Sequence, residues 1–394
     1  MTEPLRIAML TYSVKPRGGV VHALQVSDAL ARRGHVPRLF ALSRDGEGFF
    51  REPAVPATLI ASPRRTELEF DDQILAMIDD YADGLRALLP GAGYDVVHAQ
   101  DCLSANAALR LRDEGLIGPV TRTVHHVDDF RSPSLIACQD RSITEPDAVL
   151  CVSEPWVRTL GRDFGVEAEL VSNGVDVERY RDVAAGHGRA AARVALGAGD
   201  RFVILTIGGI EPRKGSITLL EAFARLRARL MPGLDPLLVI AGGATLFDYR
   251  DELQRFAERR AALGLDDRDV RTVGPQSDRE LDGLLAAADA FAFPSRKEGF
   301  GLVALEALAC RLPLVCSDLP VLRTFLRDGD SALMAPAGDV EALAEALERV
   351  ATEAALRTRL RRGGDAVARA HDWDRSAVEH ERAYARARAR ERVA

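Results

Sequence analysis

Twice along this chain a largely apolar six-residue run gives way to paired glycines and then to a helical pattern. The first run is Arg6–Thr11, followed by Gly18-Gly19, an amphipathic stretch to about Arg33 and a Gly34-His35 stop. The second is Phe202–Ile207, followed by Gly208-Gly209 and a helical pattern over Ile217–Leu230. Short runs without polar alternation read as strands buried on both faces. More follow the first: Arg38–Leu42, Val96–His98, Val120–His125, Ala148–Val152 and Leu170–Val171. The second is continued by Leu237–Ala241, Val270–Val273, Ala290–Phe293 and Leu314–Cys316. Strands alternating with helices imply α/β domains with parallel sheets covered on both faces. With 394 residues the chain exceeds what one core usually serves, so two domains are expected. The break is expected where Ala184-Ala185-Gly186-His187-Gly188 interrupts the pattern, giving domains 1–185 and 186–372. A last helical stretch rich in Ala and Arg, residues 373–394, is expected to complete the first domain, anchored by Trp373, Val378 and Tyr384.

Composition narrows the function classes. Hydrophobic residues at 47% and charged residues at 28% describe a soluble protein. No apolar run approaches the roughly 20 residues of a membrane span. Met1-Thr2-Glu3-Pro4 runs directly into a strand, so no signal peptide is expected, and the location reads as cytoplasmic. Residues 1–180 carry 19 basic and 27 acidic side chains, net −8, which disfavours nucleic acid as a partner. The five cysteines show no CxxC spacing and read mostly as small buried hydrophobes. No His/Cys cluster has zinc-ligand spacing, and the pairs Asp267/Asp269 and Asp372/Asp374 read as solvated surface, so no metal is expected.

One stretch carries most of the chemistry. Ala290–Pro294 ends a strand, the chain turns through Glu298-Gly299-Phe300-Gly301, and a helix opens at Leu302. A helix N-terminus over the carboxyl end of a strand collects anions, through free N–H groups and the helix dipole. Glu298 sits at its mouth and Glu306 about two turns in; both suit hydroxyls. An anion site flanked by hydroxyl acceptors suits a sugar–diphosphate–ribose ligand. Gly208–Gly215 also follows a strand and precedes a helix, and its Arg213-Lys214 offers positive charge. Lysine is scarce here (Lys15, Lys214 and Lys297 among 52 basic residues), so its use at 214 favours a compact point charge, with chance as the other reading.

In the first half, Gly18-Gly19 is phosphate- or substrate-facing, or simply a tight turn. His125 ends a strand and reads as a polar contact or proton handler, or as a structural histidine. Asn173-Gly174-Val175-Asp176 is a turn that serves structure or ligand equally well. No GxGxxG fingerprint, P-loop or nucleophile elbow is present.

Together these residues resemble the retaining glycosyltransferases of GT-B type, family four (glycosyl transferases group one). The resemblance rests on Gly18-Gly19, Thr123–His125, Asn173–Asp176, Pro212–Gly215, Pro294–Gly301 through Glu306, Ser317–Pro320 and the Trp373 helix. It implies two Rossmann-like domains facing a central cleft, with a C-terminal helix crossing back to the first. It implies a metal-independent hexosyltransferase taking a nucleotide-diphosphate sugar donor, with no cofactor and an unidentified acceptor. By that resemblance Glu306 binds ribose and Glu298 a sugar hydroxyl. The N–H groups near Gly301, Leu302 and Val303 hold the diphosphate. Lys214 neutralises the leaving phosphate, and His125 contacts the sugar near the reacting carbon. One departure stands out: relatives often carry arginine directly after the glycine at 208, where this chain has Gly209. Arg213 is the expected replacement. A sugar-nucleotide epimerase or a non-catalytic nucleotide-sugar-binding protein on the same fold is the alternative. A pyridoxal-phosphate phosphorylase fits poorly, for none of the three lysines sits late in the second domain in an evident pocket. Loops Ser43–Glu52 and Ser62–Asp72 are expected to choose the acceptor.

Overall fold

The computed structural model describes residues 3–44, 46–230, 233–243 and 250–391. Asp45, in the first of the two expected acceptor loops, lies outside them. The chain forms two compact units, Met1–Asn173 with Trp373–Ala394, and Gly174–Asp372.

The first unit runs β1 (Arg6–Thr11), α1 (Gly18–Arg32), β2 (Val36–Ser43), β3 (Ala57–Ala61), α2 (Phe70–Leu88), β4 (Val96–Ala99), α3 (Cys102–Asp113), β5 (Val120–Val124), α4 (Pro133–Thr144), β6 (Ala148–Cys151), α5 (Glu154–Phe164) and β7 (Glu169–Leu170). The second contains α6 (Arg181–Ala184), α7 (Arg189–Leu196), β8 (Phe202–Ile207), α8 (Ser216–Arg229), β9 (Pro236–Ala241), α9 (Arg250–Ala262), β10 (Val270–Gly274), α10 (Asp278–Ala287), β11 (Ala290–Phe293), α11 (Leu302–Ala309), β12 (Leu314–Asp318), β13 (Leu333–Pro336), α12 (Val340–Thr352) and α13 (Ala354–Ala370). The last helix, α14 (Trp373–Glu391), belongs to the first unit.

Both sheets are parallel. Their strand orders are β3-β2-β1-β4-β5-β6-β7 and β10-β9-β8-β11-β12-β13. In each, the chain leaves the central strand in one direction and later resumes on its other side. The crevice at that reversal, outside the strands' carboxyl ends, is where open α/β sheets hold ligands. It lies between β1 and β4 in one unit and between β8 and β11 in the other. The central strands are apolar almost throughout because neighbouring strands and helices cover them: Ile7, Ala8, Met9 and Leu10 are fully buried, as are Ile204 and Leu205. Two helix starts are fixed by reciprocal side-chain caps. Asp101 and Ser104 cap α3 reciprocally, and Ser277 with Glu280 does the same for α10.

Four differences from the sequence reading have physical causes. The units divide at Asn173/Gly174 rather than at 185/186. Residues 174–185 pack within the second unit: Val175 N–H donates to the His371 carbonyl at 2.9 Å, and Arg179 pairs with Asp282 at 3.2 Å. The glycines at 186 and 188 instead make the turn between α6 and α7. Strands β3 and β13, not expected from the sequence, are short sheet edges: only Ile60 of the five residues of β3 is buried, and β13 has four residues with Leu333 and Ala335 buried. Asp269 is buried and pairs with Arg227 at 3.0 Å, so it is not solvated surface. Among the expected anchors of α14, Trp373 and Tyr384 are buried but Val378 is only half-buried. Ala377 and His380 take inward positions.

Candidate active site

In the second unit the loop after β8 carries Gly208 and Gly209, then a short 3-10 turn at Pro212–Lys214. Gly215 follows with φ +67, and a Cβ there would lie 2.1 Å from the Pro294 carbonyl oxygen. This absence of a side chain lets the two loops abut, and Arg296 N–H donates to the Arg213 carbonyl at 2.7 Å. Lys214 is thereby aimed at the loop after β11. Its Nζ lies 2.7 Å from Glu298 Oε1, with side-chain exposures of 14% and 8%, and 5.4 Å from the Phe293 ring centre. Arg213 lies farther out: its Nη1 is 3.9 Å from Glu298 and its Nε 3.0 Å from buried Glu211. Burial is the strongest influence on the Glu298 carboxyl and pushes its pKa up. Lys214 and Arg213 outweigh it and hold the group below the usual carboxylate range.

Gly301 is the N-cap of α11 at φ +108, a conformation suited to glycine. A Cβ there would also press on Leu322 at 3.0 Å and Phe293 at 3.3 Å. The eight-residue helix it opens directs the first-turn N–H groups of Leu302 and Val303 outward from the carboxyl end of β11. Glu306, one turn on, is half-buried and bears electrostatically on Tyr180 and Arg179. Lys214, Glu298, Arg213 and the start of α11 thus meet at the sheet reversal.

In the first unit the same position holds Gly18, Gly19 and His125. Gly19 lies in the first turn of α1, and a Cβ there would come 3.3 Å from the His125 ring. Gly18 faces open space. His125 directly follows β5. Its Nε2 lies 3.0 Å from Gln100 Oε1, at the end of β4, and its ring packs edge-on against His22 at 4.9 Å. Burial, first of all, pulls His125 well below the usual histidine range. His126 is exposed and contacts Asp128 at 3.2 Å. Asn173 is a structural pin, its Oδ1 2.7 Å from His22 Nδ1. A polar chain continues inward: Gln100 reaches His98 at 3.2 Å, and His98 meets Tyr384 of α14 at 2.8 Å.

Gln100, His22 and Glu211 were not found from the sequence. Only Glu211 had a local signal, an acid in a turn that also carries Arg213 and Lys214. Among the described residues no group of three or more His, Cys, Asp or Glu side chains is placed to hold a metal. Nor, among them, is any helix long and apolar enough to cross a membrane.

Known proteins resemble this chain in sequence and in fold. The family model described as "Glycosyl transferases group 1" matches residues 189–366, and "Glycosyltransferase Family 4" matches residues 16–179. A D-inositol 3-phosphate glycosyltransferase of Saccharomonospora viridis is 31% identical over 95% of this chain and 92% of its own length. One of Actinosynnema mirum is 32% identical over 97% of each. Among solved structures, sucrose-phosphate synthase from Thermosynechococcus elongatus superposes with a TM-score of 0.81 at 22% identity, covering 98% of this chain and 99% of that one. Anabaena HepE in complex with UDP and glucose gives 0.74 at 19% identity, over 96% and 98%. With two parallel-sheet units and matches that span both, the chain belongs to the family 4, group 1 glycosyltransferases, and is a glycosyltransferase of GT-B fold.

Proposed function

We propose that the enzyme moves a hexosyl unit from a nucleotide-diphosphate sugar to an acceptor with retention of anomeric configuration and without a metal ion. The observation that carries this reading is the buried Lys214–Glu298 pair beside the N-terminus of α11 at the sheet reversal. Negative charge grows on the departing diphosphate as the glycosidic bond breaks. Preorganised cations and N–H groups stabilise such charge without reorganising. Lys214 meets that charge, and the Leu302 and Val303 amides hold further oxygens. Arg213 supplies the second cation that Gly209 lacks. Glu298, kept ionised by its neighbours, accepts a sugar hydroxyl, and Glu306 accepts from ribose. His125, kept neutral, hydrogen-bonds on the sugar and acceptor side, where Gly18 and Gly19 give the backbone close approach.

UDP-linked hexoses are the first donors to assay, because Anabaena HepE was also solved with UDP-glucose. D-inositol 3-phosphate, in the names of several relatives, is the first acceptor. The test is a thermal-shift screen of UDP, GDP and ADP, followed by transfer assays with and without EDTA. One nucleotide should raise the melting temperature in proportion to occupancy. Glu306→Ala should weaken that nucleotide by roughly 1–3 kcal/mol, the cost of unpaired hydroxyls. Unchanged affinity in Glu306→Ala, or transfer abolished by EDTA and restored by Mg²⁺, would overturn the assignment.

A further inference from the structure

Two of the five cysteines, far apart in sequence, are brought together in the first unit. Cys102 is the first residue of α3, and Cys138 lies in the second turn of α4. Both are free thiols, with their sulfurs 3.2 Å apart. The buried Asn106 amide holds them in place: its Nδ2 donates to the Cys102 and Cys138 carbonyls, both at 2.9 Å, and lies 3.2 Å from Cys138 Sγ. Cys138 is buried and Cys102 only partly so, which leaves the pair a route to small reagents.

We propose that Cys102 and Cys138 are a modification site, a dithiol that hydrogen peroxide closes to an intramolecular disulfide. A disulfide needs sulfurs about 2.05 Å apart, so each need move only about 0.6 Å. The hydrogen bond from Cys102, then Arg110 and Arg141, pull the Cys138 thiol down, and the same bond pushes Cys102 up. Cys138 is therefore the thiolate that attacks. A sulfur–oxygen bond forms, the peroxide O–O bond breaks, and the leaving hydroxide takes a proton to become water. Cys102 then loses its proton and attacks Cys138 Sγ. The sulfur–sulfur bond forms, the sulfur–oxygen bond breaks, and a second water leaves. Two thiols are oxidised by two electrons and one peroxide is reduced to two waters.

The bridge would staple two elements that support the segment after β5. Gln100, two residues before Cys102, holds His125 at 3.0 Å. Gln139, next to Cys138, accepts from Asp128 N–H at 2.8 Å and donates to the Asp128 carbonyl at 3.1 Å. Oxidation therefore stiffens residues 125–128 from both sides.

The full-length protein is reduced, freed of reductant and titrated with hydrogen peroxide. Free thiols, unreduced peptide maps and amide hydrogen exchange are then read. Two of the five thiols should disappear together, with a Cys102–Cys138 cross-linked peptide that dithiothreitol reverses. The melting temperature of the first unit should rise by about 5–10 °C, and exchange over 125–128 should slow at least several-fold. Cys102→Ser should leave a sulfenic acid at Cys138 that dimedone traps, whereas Cys138→Ser should leave none at Cys102. The proposal fails if all five thiols survive excess peroxide. It fails equally if Cys138 runs to sulfinic acid without cross-linking, or if another pair is joined.

Discussion

Replacing Glu298 with glutamine separates what the carboxylate does for the fold from what it does for ligand. The Lys214–Glu298 contact is 2.7 Å with both side chains largely out of water. Removing one partner of a buried ion pair costs roughly 3–5 kcal/mol, because the other charge is left uncompensated. Glutamine still accepts a hydrogen bond and Lys214 keeps some exposure, so about 2–3 kcal/mol is expected. In a unit of about 200 residues that lowers the melting temperature by roughly 4–12 °C. Nucleotide binding should move the opposite way. On the proposed function a diphosphate would share the Lys214 ammonium with Glu298 in the wild type and have it alone in Glu298→Gln. If only 1.4 kcal/mol of the lost attraction passes to the ligand, UDP binds about tenfold tighter, while turnover falls because a sugar hydroxyl loses its anionic partner. The pH dependence has a fixed sign. The folded Glu298 carboxyl lies below its unfolded value, so the pair's stabilisation is fully present above about pH 5. It is lost as pH falls from about 4.5 through the folded pKa. The stability gap between wild type and variant should therefore hold constant above about pH 5 and shrink as pH falls below about 4.5. Calorimetric melting and UDP titration of both proteins decide it. A variant as stable as wild type that binds UDP no tighter would refute the reasoning.

Arg213→Ala and Lys214→Ala should both lower kcat/KM, by about 10²–10³ for Lys214. If Arg213→Ala stays within a few-fold of wild type, Arg213 is not the second cation for the leaving diphosphate. Gly209→Arg should not restore a family arginine by simple addition. Gly209 has φ +72 and a Cβ there would lie 2.8 Å from the Gly243 carbonyl oxygen, so a loss of about 2–3 kcal/mol in chemical denaturation is expected. The first unit should be acid-labile through its buried histidines. Burial lowers His22 to about 3 and His380 to about 4, so the unfolded state takes up protons first as pH falls below about 6.5. By pH 5 each costs about 2 kcal/mol, and in His380→Gln the stability lost between neutral pH and pH 5, measured in urea, should be smaller by about that amount.

What was legible in the sequence was whatever a short window contains. Strands β1, β8 and β11 matched their apolar runs to the residue, because a strand covered on both faces admits few polar positions. Strand β3 did not, since an edge strand with one buried residue has no such demand. The same rule governs the site. Lys214, Glu298 and the Gly301 cap were readable because each sits in a turn between a strand and a helix, where the fold itself puts ligand. The stretch from Ala184 to Gly188 was misleading for a related reason: glycines mark turns, and only packing decides whether a turn also separates units. Here Val175 and Arg179 had already committed the chain to the second unit.

Residues that act through a neighbour stayed hidden. Gln100 matters only because β4 and β5 are adjacent, which brings its amide to His125. Cys102 and Cys138 matter only because α3 and α4 pack together and Asn106 ties their backbones. Nothing in the spacing of these residues marks them, for a parallel sheet joins segments tens of residues apart by strand order rather than by proximity in sequence. The charge pair at Lys214 and Glu298 follows from motifs that the fold then places. The thiol pair follows from the fold alone, and a substitution that shifted α4 would abolish it while leaving every motif intact.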